Sequence, residues 1–210
     1  LLADIAPGTV LVDTSTVSPA TAKQVAASLQ EVGAGFVDAP VSGGVEGAKK
    51  GTLSVMAGGD SANISRIMPV LEAISGTVTH MGPVGSGQAT KAVNQVMIAG
   101  IAEAVCEALA LGEKLNLPSE RLLSIVGAGA ASSWFLEHRG KTMLENSFDV
   151  GFKLSLLLKD LLICQDLARE LDISMPTTEA AIRDYRELVA LGDGNHDISG
   201  LIRLKRGVDG

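Results

Sequence analysis

The chain has 210 residues, is 46% hydrophobic and 20% charged, and carries a net charge of -7. That length supports a substantial core in one large domain or two small ones. The acidic balance and the lack of a long Lys/Arg run argue against a nucleic-acid or anionic-membrane surface as the main task.

The opening residues, Leu1-Leu2-Ala3-Asp4, bring neither a Met nor a charged-then-apolar leader, and the chain reads as a piece of something larger. Thr9 to Asp13 predicts a strand after a Pro7-Gly8 turn. Ser18-Pro19 then opens a helix to about Val32, with Ser as N-cap and Pro at the first helical position. Gly33 and Gly35 end it. Phe36 to Ala39 predicts the next strand, and Leu53 to Ala57 a third, closed by Gly58-Gly59. Asp60 or Ser61 caps a helix to about Ile74, and Val78 to Met81 forms a short fourth strand. Strand–helix alternation of this kind favours an α/β layer with a mainly parallel sheet.

From about Gly82 the β pattern stops. Helices are predicted at 88–115, 118–128, 132–145, 152–172, 176–191 and 197–204. The fold class is therefore α/β followed by all-α. Two domains are expected, 1–82 and 83–210, joined by the long helix that starts near Gln88. The apolar runs are too short or too Gly-interrupted to cross a bilayer. Cys106 and Cys164 fall inside apolar helical patterns, which reads as reduced core thiols in a cytoplasmic protein.

Ligands of parallel α/β sheets bind beyond the carboxyl ends of strands. Three segments fall there: Asp13 to Thr16, Asp38 to Gly44, and Gly82 to Gly87. Ser42-Gly43-Gly44 offers a hydroxyl and unhindered backbone N–H groups to a carboxylate, although a plain glycine turn has the same spelling. Lys91 and Asn94 lie three apart, on one helical face. Lys91 also stands at the head of a helix that is apolar from Val96 to Leu111 apart from Glu103 and Glu107. A buried ammonium there needs a reason, and proton transfer at a substrate oxygen is one.

A second charged spot is Lys159-Asp160, nearly surrounded by leucines. It is either a structural ion pair or the wall of a cleft. Phe152 precedes Lys159 by two helical turns, which puts both on one face. Trp134 suits core packing or a subunit contact. His80, His138 and His196 lack neighbours at metal-ligand spacing, so no metal is expected. Glu103 and Glu107 read as a solvated stripe. Lys49-Lys50 and Arg203-Lys205-Arg206 are too small for a polyanion surface.

Taken together, Asp38 to Gly44, Gly51 to Gly59, Gly85 to Gln95 and Lys159-Asp160-Leu161 resemble the β-hydroxyacid dehydrogenase family, in its order and over essentially the whole chain. That family includes 3-hydroxyisobutyrate dehydrogenases, tartronate semialdehyde reductases and glyoxylate/succinic semialdehyde reductases. The resemblance implies a Rossmann-like domain for NAD or NADP, here a partial parallel sheet lacking its N-terminal half. It also implies an all-helical substrate and dimerisation domain, and a homodimer or homotetramer. The implied reaction is hydride transfer between NAD(P) and a small 3-hydroxy acid or its semialdehyde.

By the same resemblance Lys91 would be the general acid/base, with a pKa lowered by burial, and Asn94 would orient the substrate. Ser42, Gly43 and Gly44 would hold its carboxylate. Ser15 and Thr16 would lie by the nicotinamide ribose. Lys159 would contact the cofactor, with Asp160 and Phe152 beside the nicotinamide and substrate.

One departure stands out. No G-x-G-x-x-G follows a strand here, so the pyrophosphate fingerprint and the residues that separate NAD from NADP would lie upstream of Leu1. A truncated chain is expected on that ground. A non-catalytic oligomerisation or binding module that keeps the fold is the alternative. 6-Phosphogluconate dehydrogenases share the architecture but carry a His near the catalytic Lys. Imine reductases usually place another residue where Lys91 stands.

Overall fold

The structure, a computed structural model, describes residues 2–149 and 151–207. The chain divides into two compact units, Leu1–Asn94 and Gln95–Gly210.

In the first unit, strand β1 (Val10–Asp13) leads into helix α1 (Pro19–Glu31). Ser18 caps α1 by accepting the Thr21 N–H, with Pro19 at the first position, as the sequence predicts. Strand β2 (Gly35–Asp38) follows, then a two-residue strand β3 (Val41–Ser42), helix α2 (Gly44–Lys50) and strand β4 (Leu53–Gly59). Asp60 caps helix α3 (Ser61–Glu72), and strand β5 (Ser75–Gly82) ends the series.

Among the described residues the sheet runs β1-β2-β4-β3, with β5 also pairing β4. It is mixed. β1 with β2 and β4 with β5 are parallel, whereas β2 with β4 and β3 with β4 are antiparallel. Most residue pairs are parallel, as expected; the antiparallel pairings were not foreseen because β3 and α2 were not. That short excursion lets β4 enter the sheet reversed beside β2. Val37, Ala39, Val55, Ala57, Ile64, Ile67 and Leu71 form the core between sheet and α3. Ala22, Leu29, Ala34 and Phe36 form a second core under α1.

Helix α4 (Ser86–Lys114) begins in the first unit and continues into the second. There follow α5 (Ser119–Gly127), α6 (Trp134–Leu144), α7 (Leu154–Glu170), α8 (Pro176–Ala190) and, after two 3₁₀ turns, α9 (Ile202–Arg206). By length and composition α4 could cross a membrane over its most apolar 18-residue window, contrary to the sequence expectation. Half of that window is buried in the fold, and Ala99, Ala102, Val105, Cys106, Leu109 and Ala110 pack into one core with α6, α7 and α8. α4 is thus a core helix, and its alanines let neighbouring helices approach closely.

Glu103 corrects another expectation. It is buried, and Lys205 of α9 pairs with it at 2.5 Å and also with Asp184 of α8, while Glu107 alone of the two glutamates is exposed. Arg206 grips Glu113 with two nitrogens at 2.7 Å. Arg203 and Asp193 pair as well. The C-terminal basic residues therefore fasten α9 to the bundle.

Candidate active site

Asp38, at the end of β2, is fully buried. Its Oδ1 accepts the Gly85 N–H at 2.7 Å and its Oδ2 accepts the Gln88 N–H at 2.9 Å. A carboxylate in that place caps the first turn of α4 and faces the positive end of its dipole. Burial pushes the Asp38 carboxyl above its ordinary value, and the bonds from Gly85 and Gln88 only partly offset this. The fit demands glycine. A Cβ on Gly87 would strike the Met56 and Asp38 carbonyls, and one on Gly58 would lie 2.6 Å from Asp38 Oδ1.

Gln88 carries this order outward. Its Nε2 donates to the Ser15 carbonyl at 2.8 Å, and its Oε1 accepts the Val17 N–H at 3.1 Å. Asp13 Oδ1 accepts the Ser15 N–H at 2.9 Å in an Asx turn. The Ser15-Thr16 loop is therefore pinned on both sides of Thr16 while the Ser15 side chain stays exposed. The loop thus holds two hydroxyl residues at a strand's carboxyl end, where ligands of such sheets bind.

Lys91 follows Gln88 by three residues on α4 and is buried, at 8% exposure; Asn94 is half-buried. Ser42 sits in β3 opposite Ser54. Gly43 (φ 125°) and Gly44 (φ 61°) turn the chain into α2, whose first turn has no side-chain cap. These positive φ values favour glycine, so the Ser-Gly-Gly spelling is a turn by geometry. Its exposed backbone still leaves N–H groups for an anion.

In the second unit Asp160 is buried. Lys159 Nζ lies 2.9 Å from Asp160 Oδ1, and Gln95 Nε2 donates to Asp160 Oδ2 at 2.8 Å. The Lys159 side chain is half exposed, so an ammonium stands at the surface beside a fixed carboxylate. Phe152 departs from the expectation. Helix α7 starts at Leu154 after the N-cap Lys153, so Phe152 lies in the preceding turn and no helical phase ties it to Lys159. Trp134 is half exposed, stacked on His138 at 4.2 Å, and Arg139 lies 5.3 Å over its ring; it is not a core residue.

The first unit thus brings Ser15 and Thr16 to the helix that carries Lys91 and Asn94, and the second brings Lys159 and Asp160 together. Asp38 and Gln88 were not singled out from sequence as site builders. The paired glycines 58 and 87, flanking a strand end and a helix start, were the available signal. Among the described residues no three His, Cys, Asp or Glu side chains form a metal-binding group.

Known proteins agree with this architecture. Residues 1–82 match the family described as the NAD binding domain of 6-phosphogluconate dehydrogenase. Residues 85–205 match the NAD-binding family of NADP-dependent 3-hydroxyisobutyrate dehydrogenase. An uncharacterized oxidoreductase of Shewanella frigidimarina is 38% identical over 95% of this chain and 69% of its own length. The 2-hydroxy-3-oxopropionate reductase of Escherichia coli is 37% identical over 93% of this chain and 67% of its own. The crystal structure of a 3-hydroxyisobutyrate dehydrogenase from Salmonella typhimurium superposes with a TM-score of 0.88 at 30% identity, covering 95% of this chain and 70% of that one. The chain spans about two thirds of the length of these relatives. It belongs to the β-hydroxyacid dehydrogenase family, the NAD(P)-dependent hydroxyacid oxidoreductases, and its cofactor class is NAD or NADP.

Proposed function

We propose that the protein oxidises a small 3-hydroxy acid, or reduces the corresponding semialdehyde, with Lys91 as the general acid/base. The observation that carries this reading is the placement of Lys91: buried, and one helical turn beyond the glutamine that pins the Ser15-Thr16 loop. A lysine so placed can pass a proton to or from an alcohol oxygen within hydrogen-bond reach. The nicotinamide, when bound, supplies or accepts the hydride.

The chain's own residues do the rest. Ser15 and Thr16 would lie by the nicotinamide ribose. Ser42 and the backbone of Gly43 and Gly44 receive the substrate carboxylate. Asn94, three residues after Lys91, orients the reacting oxygen. In the second unit Lys159, its ammonium steadied by Asp160, would contact the cofactor, and Phe152 would line the substrate side.

The test is turnover of NAD or NADP by the protein with 3-hydroxyisobutyrate and L-serine, and of NADH or NADPH with tartronate semialdehyde. Reduction of the nucleotide by at least one hydroxy acid is expected, and its loss in Lys91→Ala. Cofactor turnover that survives Lys91→Ala would defeat the assignment. A folded protein with no nucleotide affinity would favour a binding module instead.

A further inference from the structure

Arg139 of α6 and Asp197 are both buried, at 7% and 4% exposure, with Nε 3.4 Å from Oδ1. A buried ion pair is a poor way to gain stability, since apolar residues of similar volume do as well or better. What Asp197 touches gives it another purpose. Its Oδ2 accepts the Phe152 N–H at 2.9 Å and its Oδ1 accepts the Ser199 N–H at 3.0 Å.

The backbone repeats the grip. The Asp197 N–H donates to the Phe148 carbonyl and the Ile198 N–H to the Phe152 carbonyl, both at 2.8 Å. Leu154 N–H donates to the His196 carbonyl at 2.9 Å, and Lys153 and Asp197 form an antiparallel bridge. Both backbone polar atoms of Phe152 are therefore fixed, and its half-buried ring rests on the helical core. Gly151 completes the arrangement. It sits at φ 108°, and a Cβ there would strike both Asp197 Oδ2 and Arg139 Nη2. The carboxylate and the guanidinium thus pack directly under the turn that carries Phe152.

We propose that Asp197, oriented by Arg139, is a positioning residue: it fixes the Gly151-Phe152 turn and through it the ring that Phe152 presents to the substrate. This rests on the reading of Phe152 as a substrate residue. Asp197 acts through Phe152 and touches no reacting atom itself.

A double-mutant cycle separates the two ideas. The variants are Asp197→Asn, Phe152→Ala and the double, with KM measured for the hydroxy acid and for the nucleotide, and amide exchange followed at Phe152. Asp197→Asn is expected to raise the hydroxy-acid KM about tenfold, the size of one coupled contact, with the nucleotide KM unmoved. The Phe152 amide exchanges faster in that variant, and Asp197→Asn adds nothing in the Phe152→Ala background. An Asp197→Asn effect that persists in that background, or that moves both KM values together, overturns the proposal. So does an inert Asp197→Asn beside a damaging Phe152→Ala. If Phe152→Ala leaves the hydroxy-acid KM unchanged, the Phe152 reading falls and the proposal with it. Should Asp197→Asn fail to fold, Arg139→Lys enters the same cycle with the same expected pattern at smaller amplitude.

Discussion

Gln88 brackets Thr16: its amide holds the Ser15 carbonyl at 2.8 Å on one side and the Val17 N–H at 3.1 Å on the other. A glutamine exposed only 1% to solvent, spanning more than seventy positions to do this, makes the loop after β1 an extension of helix α4. Gln88→Ala is expected to destabilise the protein by about 1–3 kcal/mol, because it removes two part-buried hydrogen bonds, each worth about 0.5–1.5 kcal/mol. It should also speed amide exchange at Val17. Urea unfolding and exchange of the folded protein check both, and an unchanged midpoint with unchanged exchange would show the loop to be held otherwise.

Asp38 holds the same helix from beneath. Asp38→Ala strands the Gly85 and Gln88 N–H groups, and a loss of roughly 2–5 kcal/mol is expected. The pH dependence has a definite sign. Burial raises the Asp38 carboxyl above its ordinary 3.8, so in that range the folded state binds a proton the unfolded state has lost. Its stabilising contribution is therefore full below 3.8 and declines as pH rises through the raised folded value. The stability gap between wild type and Asp38→Asn should narrow as pH rises through that window; a gap that widens contradicts the assignment.

Lys205 stabilises the other unit. Burial opposes its charge, but hydrogen bonds to Asp184 and Glu103 outweigh that and raise it above the ordinary lysine value of 10.5. Its contribution is full below 10.5 and is lost as pH climbs toward the folded value. Lys205→Ala leaves Glu103 buried without its cation and is expected to cost about 3–5 kcal/mol near neutrality. The difference from wild type should shrink in strong base. Thermal unfolding of both proteins across that range decides it.

The thiols provide a simple check on the core. Burial pushes Cys164 up to about 11, and Cys106 higher still. Neither is expected to react with an aromatic disulfide reagent at pH 8 while the protein is folded, and both should react in denaturant. Rapid modification of the native protein would place a thiol at the surface. Trp134, the sole tryptophan, should conversely be quenched by acrylamide, given its half-exposed ring. Protection of that ring in solution would point to coverage by another copy of the chain.

Local chemistry was the part legible in sequence. Ser18 caps its helix as read, and Asp60 is the cap of the two candidates offered for the next, because a cap depends on neighbours two or three residues away. Lys91 and Asn94 share a helix because their spacing lies within one continuous pattern. The strand β3 and helix α2 escaped, being two and seven residues long with Gly44 and Gly47 inside the helix, too short and too glycine-rich for any periodicity to register. That one omission also hid the reversal of β4. Glu103 and Phe152 were misplaced for a different reason. What decides them is Lys205 and Asp197, which reach them only through the tertiary fold. The hydrogen-bonding roles of Asp38 and Gln88 escaped likewise, since their partners lie 47 and 73 residues away.

The proposed function stands on Lys91 as the group that passes the proton. Steady-state kinetics of Lys91→Ala against wild type, with 3-hydroxyisobutyrate or L-serine as substrate and each nucleotide in turn, tests it most directly. A fall in kcat of about 10²–10⁴-fold is expected, with nucleotide affinity retained and the fold intact by circular dichroism. Wild-type turnover in the folded Lys91→Ala protein would strip Lys91 of that role.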